Sequence, residues 1–269
     1  MRYGFNLPNF GKFVDVRGLA ELAAAAEAGG WDGFFVWDHL SPVFAPGRIV
    51  PAADPIVALT AIALATGRIR FGTMVTPLPR RRVQKVAREF TTLDHLSNGR
   101  VILGVGMGEP PAAEYEAFGE EPATRTRAQR LDESLAVLTA IWRGERVDYD
   151  GEQLHVHSDP LLPTPVQQPR IPIWVAARWP GGPGAYRRAA RYDGVFPIAP
   201  DPNRDIVTAE QVAELRAALG DVPAGFEIAI NGASELDPTA CAEAGATWWI
   251  ETYFSVDEVK RRAAEGPPS

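Results

Sequence analysis

Short runs of consecutive apolar residues alternate along the chain with longer segments in which apolar residues recur every three to four positions. The densest run, Phe34-Phe35-Val36-Trp37, follows the turn-like Gly29-Gly30-Trp31-Asp32-Gly33 and passes directly into Asp38-His39. Large apolar residues in unbroken succession read as a strand buried on both faces, the pattern of a parallel sheet covered by helices. The same pattern predicts strands over residues 2–7, 33–37, 69–75, 101–105, 172–176, 194–197, 226–230 and 247–251, most of them beside Gly or Pro. Helical periodicity predicts helices over 16–28, 54–65, 82–96, 124–142, 184–191, 206–219, 238–244 and 255–264. In the second, Asp54-Pro55 forms an N-terminal cap and first turn. In the fourth, Leu131, Leu135, Leu138 and Trp142 fall on one face. Strict strand–helix alternation through eight units predicts an α/β fold, a single (β/α)₈ TIM barrel over residues 1–269, with an open doubly wound sheet as the alternative.

Two stretches exceed a minimal barrel. Residues 109–123 are rich in Pro and acid. Residues 146–170 form an excursion between the fourth helix and the fifth strand. It contains the hairpin signal Asp150-Gly151 and the run Pro160-Leu161-Leu162-Pro163-Thr164-Pro165, which can neither be helical nor join a central strand.

Composition narrows the classes. The chain has 269 residues, 46% hydrophobic and 23% charged, as expected of a globular protein with a sizeable core. A formal net charge of −7 gives no general attraction to nucleic acid or anionic membranes. No run reaches the length of a membrane span, the amino terminus has no signal-peptide form, and a cytoplasmic location is expected. Cys241 is the only cysteine, so there is neither an intrachain disulfide nor a Cys-rich metal site. Lys12, Lys85 and Lys260 are the only lysines; the arginine bias, with abundant Ala, Gly and Pro, is the pattern of a GC-rich bacterial genome.

In a barrel the carboxyl ends of all strands converge on one mouth. Those ends carry Asn6, Asp38-His39, Thr76, Gly104-Val105-Gly106-Met107-Gly108-Glu109, Ala176-Ala177-Arg178, Asn231 and Glu251-Thr252. His39 can exchange a proton near neutral pH, with Asp38 beside it as the expected orienting group; the plainer reading is a histidine that fixes a turn. The glycines before Glu109, Gly106 and Gly108 among them, let backbone approach a flat ligand, or else simply make a tight loop. They lack dinucleotide-fingerprint spacing, and neither a Walker sequence nor a nucleophile elbow occurs. Arg178, the glycines that follow it and a helix bearing Arg187, Arg188 and Arg191 read either as a phosphate cradle or as a solvated basic helix. His155 and His157 alternate on the excursion without a third metal ligand.

Taken as an ordered set, several segments resemble the luciferase-like monooxygenase superfamily, whose members use FMN or the deazaflavin F420. They are the glycine turn with Trp37-Asp38-His39, the run from Thr66 to Pro77, Leu96-Ser97-Asn98-Gly99-Arg100, Leu103-Gly104-Val105-Gly106, Pro172-Ile173-Trp174-Val175-Ala176-Ala177, and Arg188-Ala189-Ala190-Arg191-Tyr192-Asp193-Gly194. The resemblance covers nearly the whole chain. It implies a flavin ring at the mouth and a non-prolyl cis peptide in the third strand, expected between Gly72 and Thr73. It also implies phosphate contacts from the loop after the fifth strand, where Ala176-Ala177 replaces the family's usual Gly-Gly. His39 and Glu109 match the proposed base and proton donor of the F420-dependent sugar-phosphate dehydrogenases. The expected catalytic set is therefore His39, Glu109 and Asp38, and the expected cofactor contacts are Asn6, Asp38, Gly72, Thr73, Gly106, Gly108, Ala176, Ala177 and Arg178. The reaction implied is hydride transfer between F420 or FMN and a small organic substrate, in a homodimer. The alternatives are an FMN monooxygenase using oxygen and a non-catalytic flavin-binding barrel.

Overall fold

The computed structural model describes residues 1–40, 50–199 and 206–268. In chain order the elements are β1 (Arg2–Leu7), α1 (Val16–Ala28), β2 (Gly33–Val36), α2 (Pro55–Ala65), β3 (Arg70–Pro77), α3 (Val83–Ser97), β4 (Val101–Gly106), α4 (Pro111–Glu114) and α5 (Thr124–Trp142). They continue with β5 (Val147–Asp150), β6 (His155–Ser158), β7 (Ile173–Arg178), α6 (Pro183–Ala189), β8 (Gly194–Ile198), α7 (Ala209–Leu219), β9 (Glu227–Gly232), α8 (Pro238–Glu243), β10 (Trp248–Glu251) and α9 (Val256–Glu265). Eight of the strands close a barrel in the order β1-β10-β9-β8-β7-β4-β3-β2, and every adjacent pair is parallel. The open doubly wound alternative is thereby excluded.

Local chemistry sets the boundaries. Asp15 and Asp54 cap α1 and α2 by accepting backbone N–H groups of the first turn, with Pro55 following the second cap. Asn98, in the left-handed region, ends α3. The sixth predicted helix begins at Ala209 rather than at 206, because Thr208 and Gln211 form a reciprocal capping box there. Beyond the predicted helices, α4 and a short 3₁₀ turn at Glu116–Phe118 structure the acidic stretch after β4.

The core has two layers. Phe35, Met74, Ile102, Trp174, Phe196, Ala229, Trp248 and Ile250 fill the barrel interior. Residues of opposite parity, such as Phe5, Leu7, Phe34 and Val36, pack outward under the helices. This alternation also decides which strand-end residues face the mouth.

The predicted hairpin forms: β5 and β6 pair antiparallel from Val147↔Ser158 to Asp150↔His155. The buried Glu133 carboxylate of α5 anchors it by accepting the backbone N–H groups of Glu152, Gln153 and Leu154. His155 and His157 pair with Asp150 and Asp148 on its exposed face. The proline-rich half of the excursion is tied to α3, where Asp94 accepts from the backbone and side chain of Gln167 and the His95 ring lies 2.7 Å from the Thr164 carbonyl. Among the described residues, no helix is long and apolar enough to cross a membrane, and no cluster of His, Cys, Asp and Glu is suited to a metal ion.

Candidate active site

Beyond β2 the chain keeps its alternation for three more residues. Phe35 points into the barrel, so Trp37 and His39 lie on the mouth side and Asp38 on the outer side. Asp38 therefore does not orient His39, contrary to the expectation from adjacency, and its carboxylate does not line the mouth as a cofactor contact. Its oxygens accept from Arg80 at 2.9 Å and from Arg81 at 2.9 and 2.8 Å, and Arg80 also donates to the Asp38 carbonyl. Burial alone would raise this carboxyl group; the two guanidinium groups, Arg81 foremost, outweigh it and hold it below the usual aspartate range.

The partner of His39 is Glu114, at the end of α4. Its Oε1 stands 2.9 Å from His39 Nδ1 and also accepts the Leu40 N–H, while its Oε2 lies 3.1 Å from Arg80 Nε. The Glu114 side chain is fully buried, whereas His39 keeps 20% of its side chain exposed. Asn9 pins the histidine backbone from both sides: its Oδ1 accepts the His39 N–H and its Nδ2 donates to the His39 carbonyl. Phe10 and Trp37 set their rings edge-on to the imidazole at centroid distances of 6.0 and 5.7 Å.

The loop after β4 is held by α5. Arg127 donates to the carbonyls of Met107 and Gly108, and the Tyr115 hydroxyl donates to Met107 as well. Arg127 also stands 3.4 Å from the Glu109 carboxylate, which is half exposed. Glu109 thus stands on a fastened loop with a cation beside it.

Parity places Asn6, Gly106, Ala176, Ile198 and Asn231 at the floor of the mouth. The side-chain oxygens of Asn6 and Asn231 are buried and accept no hydrogen bond. Val75 leans across the floor toward Gly106, where an added Cβ would stand 2.8 Å from the valine Cγ2.

Like Asp38, the expected cofactor contacts Gly72 and Thr73 lie elsewhere. A Cβ on Gly72 would stand 1.8 Å from the Ile102 carbonyl, so this glycine is locked against β4 backbone below the mouth. Thr73 is fully buried and donates to the Gly104 carbonyl. The non-prolyl cis bond joins Met74 and Val75, not Gly72 and Thr73. It coincides with the break in β3–β4 register between Thr73 and Thr76, and this irregularity, rather than the regular part of β3, brings Val75 to the floor.

On β7, Ala176 faces the mouth, but Ala177 is buried in the outer layer. The Arg178 side chain is exposed, and its carbonyl accepts from the Tyr186 hydroxyl. The phosphate-cradle reading of α6 weakens: Arg188 and Arg191 are both paired with Asp132 of α5.

Sequence reasoning missed Glu114, Asn9, Val75, Arg127 and the pair Arg80-Arg81. A signal existed for the last two, since three consecutive arginines, Arg80-Arg81-Arg82, come within five residues of the third strand's end. For Glu114 the only signal was its place in an acidic stretch that periodicity left unassigned.

A family model described as luciferase-like monooxygenase matches residues 1–264. The F420-dependent glucose-6-phosphate dehydrogenase of Beutenbergia cavernae is 34% identical over 251 residues, 90% of this chain and 72% of that protein. The one from Rhodococcus erythropolis is 32% identical over 241 residues, 86% of this chain and 69% of that protein. The Mycobacterium avium protein of the same name is 39% identical over 179 residues, 65% of this chain, and the match spans only about half (51%) of that relative. Among solved structures, an F420-dependent secondary alcohol dehydrogenase in complex with an F420-acetone adduct superposes with a TM-score of 0.75 at 18% identity, over 96% of each chain. A monooxygenase from Streptomyces bottropensis does so with 0.75 at 20% identity, over 98% of this chain and 96% of that one. These structures show the shared fold. With the family model matched along nearly the full length and relatives above 30% identity across most of it, the chain belongs to the luciferase-like monooxygenase family.

Proposed function

We propose that this chain is an F420-dependent oxidoreductase that moves a hydride between the deazaflavin and a carbon bearing a hydroxyl or carbonyl group on a small organic substrate. The observation that carries this reading is the mouth: two buried, unpartnered carbonyl oxygens, Asn6 and Asn231, beside a floor made by Val75 and Gly106, with His39 at the rim. A flavin or deazaflavin ring carries an imide N–H that such acceptors can satisfy, and a buried acceptor left unpaired costs about 1–3 kcal/mol. The relatives named as F420-dependent dehydrogenases favour the deazaflavin over FMN.

Asn6 and Asn231 would hold the ring edge, with Val75, Gly106 and Ala176 beneath it. The bound deazaflavin supplies the two-electron acceptor or donor. His39 takes the proton of a substrate hydroxyl at Nε2, or returns it in the reverse direction. Glu109 exchanges a proton at its carboxylate, kept in place by Arg127. Phe10 and Trp37 limit water around the imidazole.

Absorbance titration with F420 and with FMN, followed by oxygen uptake with each reduced cofactor, tests the reading. F420 binding with oxygen-independent substrate oxidation is expected; oxygen-dependent product formation with reduced FMN would establish the monooxygenase instead. In His39→Ala, cofactor binding survives while turnover falls about 10²-fold or more. A homodimer also belongs to this reading, supported by α2, which carries no charged residue and exposes Val57 and Leu64.

A further inference from the structure

We infer that Glu114 is the positioning residue of His39: its buried carboxylate holds the imidazole as the Nδ1–H tautomer, so that Nε2 carries the lone pair facing the mouth. The inference rests on His39 acting as the base proposed above, and it moves the orienting role from the adjacent Asp38 to a carboxylate 75 residues away.

An ionised carboxylate can only accept, so the 2.9 Å contact with Nδ1 requires a proton on that nitrogen. In the neutral ring, Nε2 is then unprotonated. The Leu40 N–H donates to Oε1, and the Arg80 guanidinium faces Oε2 at 3.1 Å as a charge contact without hydrogen-bond alignment. Arg80 bridges Glu114 to Asp38, and Arg81 completes the Asp38 site. Among the described residues, the charged groups around the imidazole include Glu114 from α4, Arg80 and Arg81 from the turn before α3, and Asp38 from the end of β2. Asp38 is taken up by the arginines, and Glu114 is in contact with the ring. As His39 gains a proton, the resulting imidazolium meets a negative charge with no rearrangement, because Asn9 fixes the backbone and Phe10 and Trp37 border the ring.

The test uses the full chain. Nitrogen-15 NMR of the imidazoles, with the His39 signals identified by their loss in His39→Ala, reads the tautomer without cofactor or turnover. The Nδ1–H form is expected in the wild-type protein; a dominant Nε2–H form overturns the inference without any variant at Glu114. In Glu114→Gln the side-chain amide can face Nδ1 with either its oxygen or its NH2 group, so the Nε2–H form gains population, and Glu114→Asp restores part of the wild-type distribution. An unchanged tautomer distribution in Glu114→Gln overturns the inference. With F420, Glu114→Gln lowers kcat about tenfold or more and leaves KM near wild type. In a His39→Ala background it costs nothing further, whereas an equal loss there marks Glu114 as merely structural and overturns its positioning role. Undiminished turnover in His39→Ala itself overturns the function proposed for His39, while the NMR arm still reads the contact.

Discussion

Asp38 and His39 are neighbours in the chain but belong to different structures. One carboxylate is clasped by Arg80 and Arg81 under the helical layer, and the imidazole borders the mouth. The consequence for Asp38 is stability rather than catalysis. Its folded-state pKa lies below the ordinary aspartate value of 3.8, so its contribution is complete only above about pH 5, where the unfolded-state carboxyl is also ionised. That contribution is lost as pH falls through the depressed folded-state value. Denaturant unfolding as a function of pH should show stability declining on acidification, with a shallower decline in Asp38→Asn. At neutral pH that variant should lose about 3 kcal/mol, because Arg81 is left without its buried partner. An unchanged acid slope would remove Asp38 from the acid response. The adjacency of acid and histidine was legible in the sequence. Which carboxylate touches the ring was not, because Glu114 reaches it only after β3, α3 and β4 have been laid down between them.

At the scale of the element, β3 departs most from a regular strand. Its register against β4 breaks between Thr73 and Thr76, and this brings Val75 to the floor and leaves Gly72 below it. The two glycines beside it should therefore respond differently to an added methyl group. Gly72→Ala meets the Ile102 carbonyl backbone at 1.8 Å and should lower unfolding stability, by about 1–3 kcal/mol as overpacking does. Gly106→Ala meets side chains rather than backbone, a Val75 methyl at 2.8 Å and the Ala176 Cβ at 3.5 Å, so the fold should tolerate it. Cofactor affinity should then fall about tenfold, or about 1.4 kcal/mol, as the valine is pushed into the floor. Chemical denaturation and absorbance titration read the two effects separately. The run of apolar residues announced the strand, and the family resemblance announced a cis bond in it. Pattern alone carries no register, so the bond was expected two residues early. The same limit holds for β7: Ala176-Ala177 was read as a pair, and alternation sends only Ala176 to the mouth.

At the scale of the molecule, barrel closure gathers residues from separate units. Asn6 and Asn231 come from the first and seventh barrel strands, with β10 between them. Arg127 reaches back from α5 to the loop after β4. The outer surface carries its own expectation, because α2 exposes Val57 and Leu64 with no charge to keep a partner off. Light scattering should give twice the monomer mass, and Leu64→Glu should shift it toward the monomer; a monomeric wild-type protein would overturn the dimer.

The sequence by itself determined the barrel, its eight strand–helix units, the hairpin of the excursion and the candidacy of His39 and Glu109. These follow from local periodicity, turn chemistry and the rule that parallel strands end together. The tertiary structure alone decided that Glu114 rather than Asp38 meets the imidazole, that Val75 rather than Gly72 or Thr73 forms the floor, and that Arg127 stands beside Glu109. Each of those depends on a contact across the barrel or across a register shift. Such contacts are set by side-chain alternation on a closed sheet, and linear spacing does not encode them.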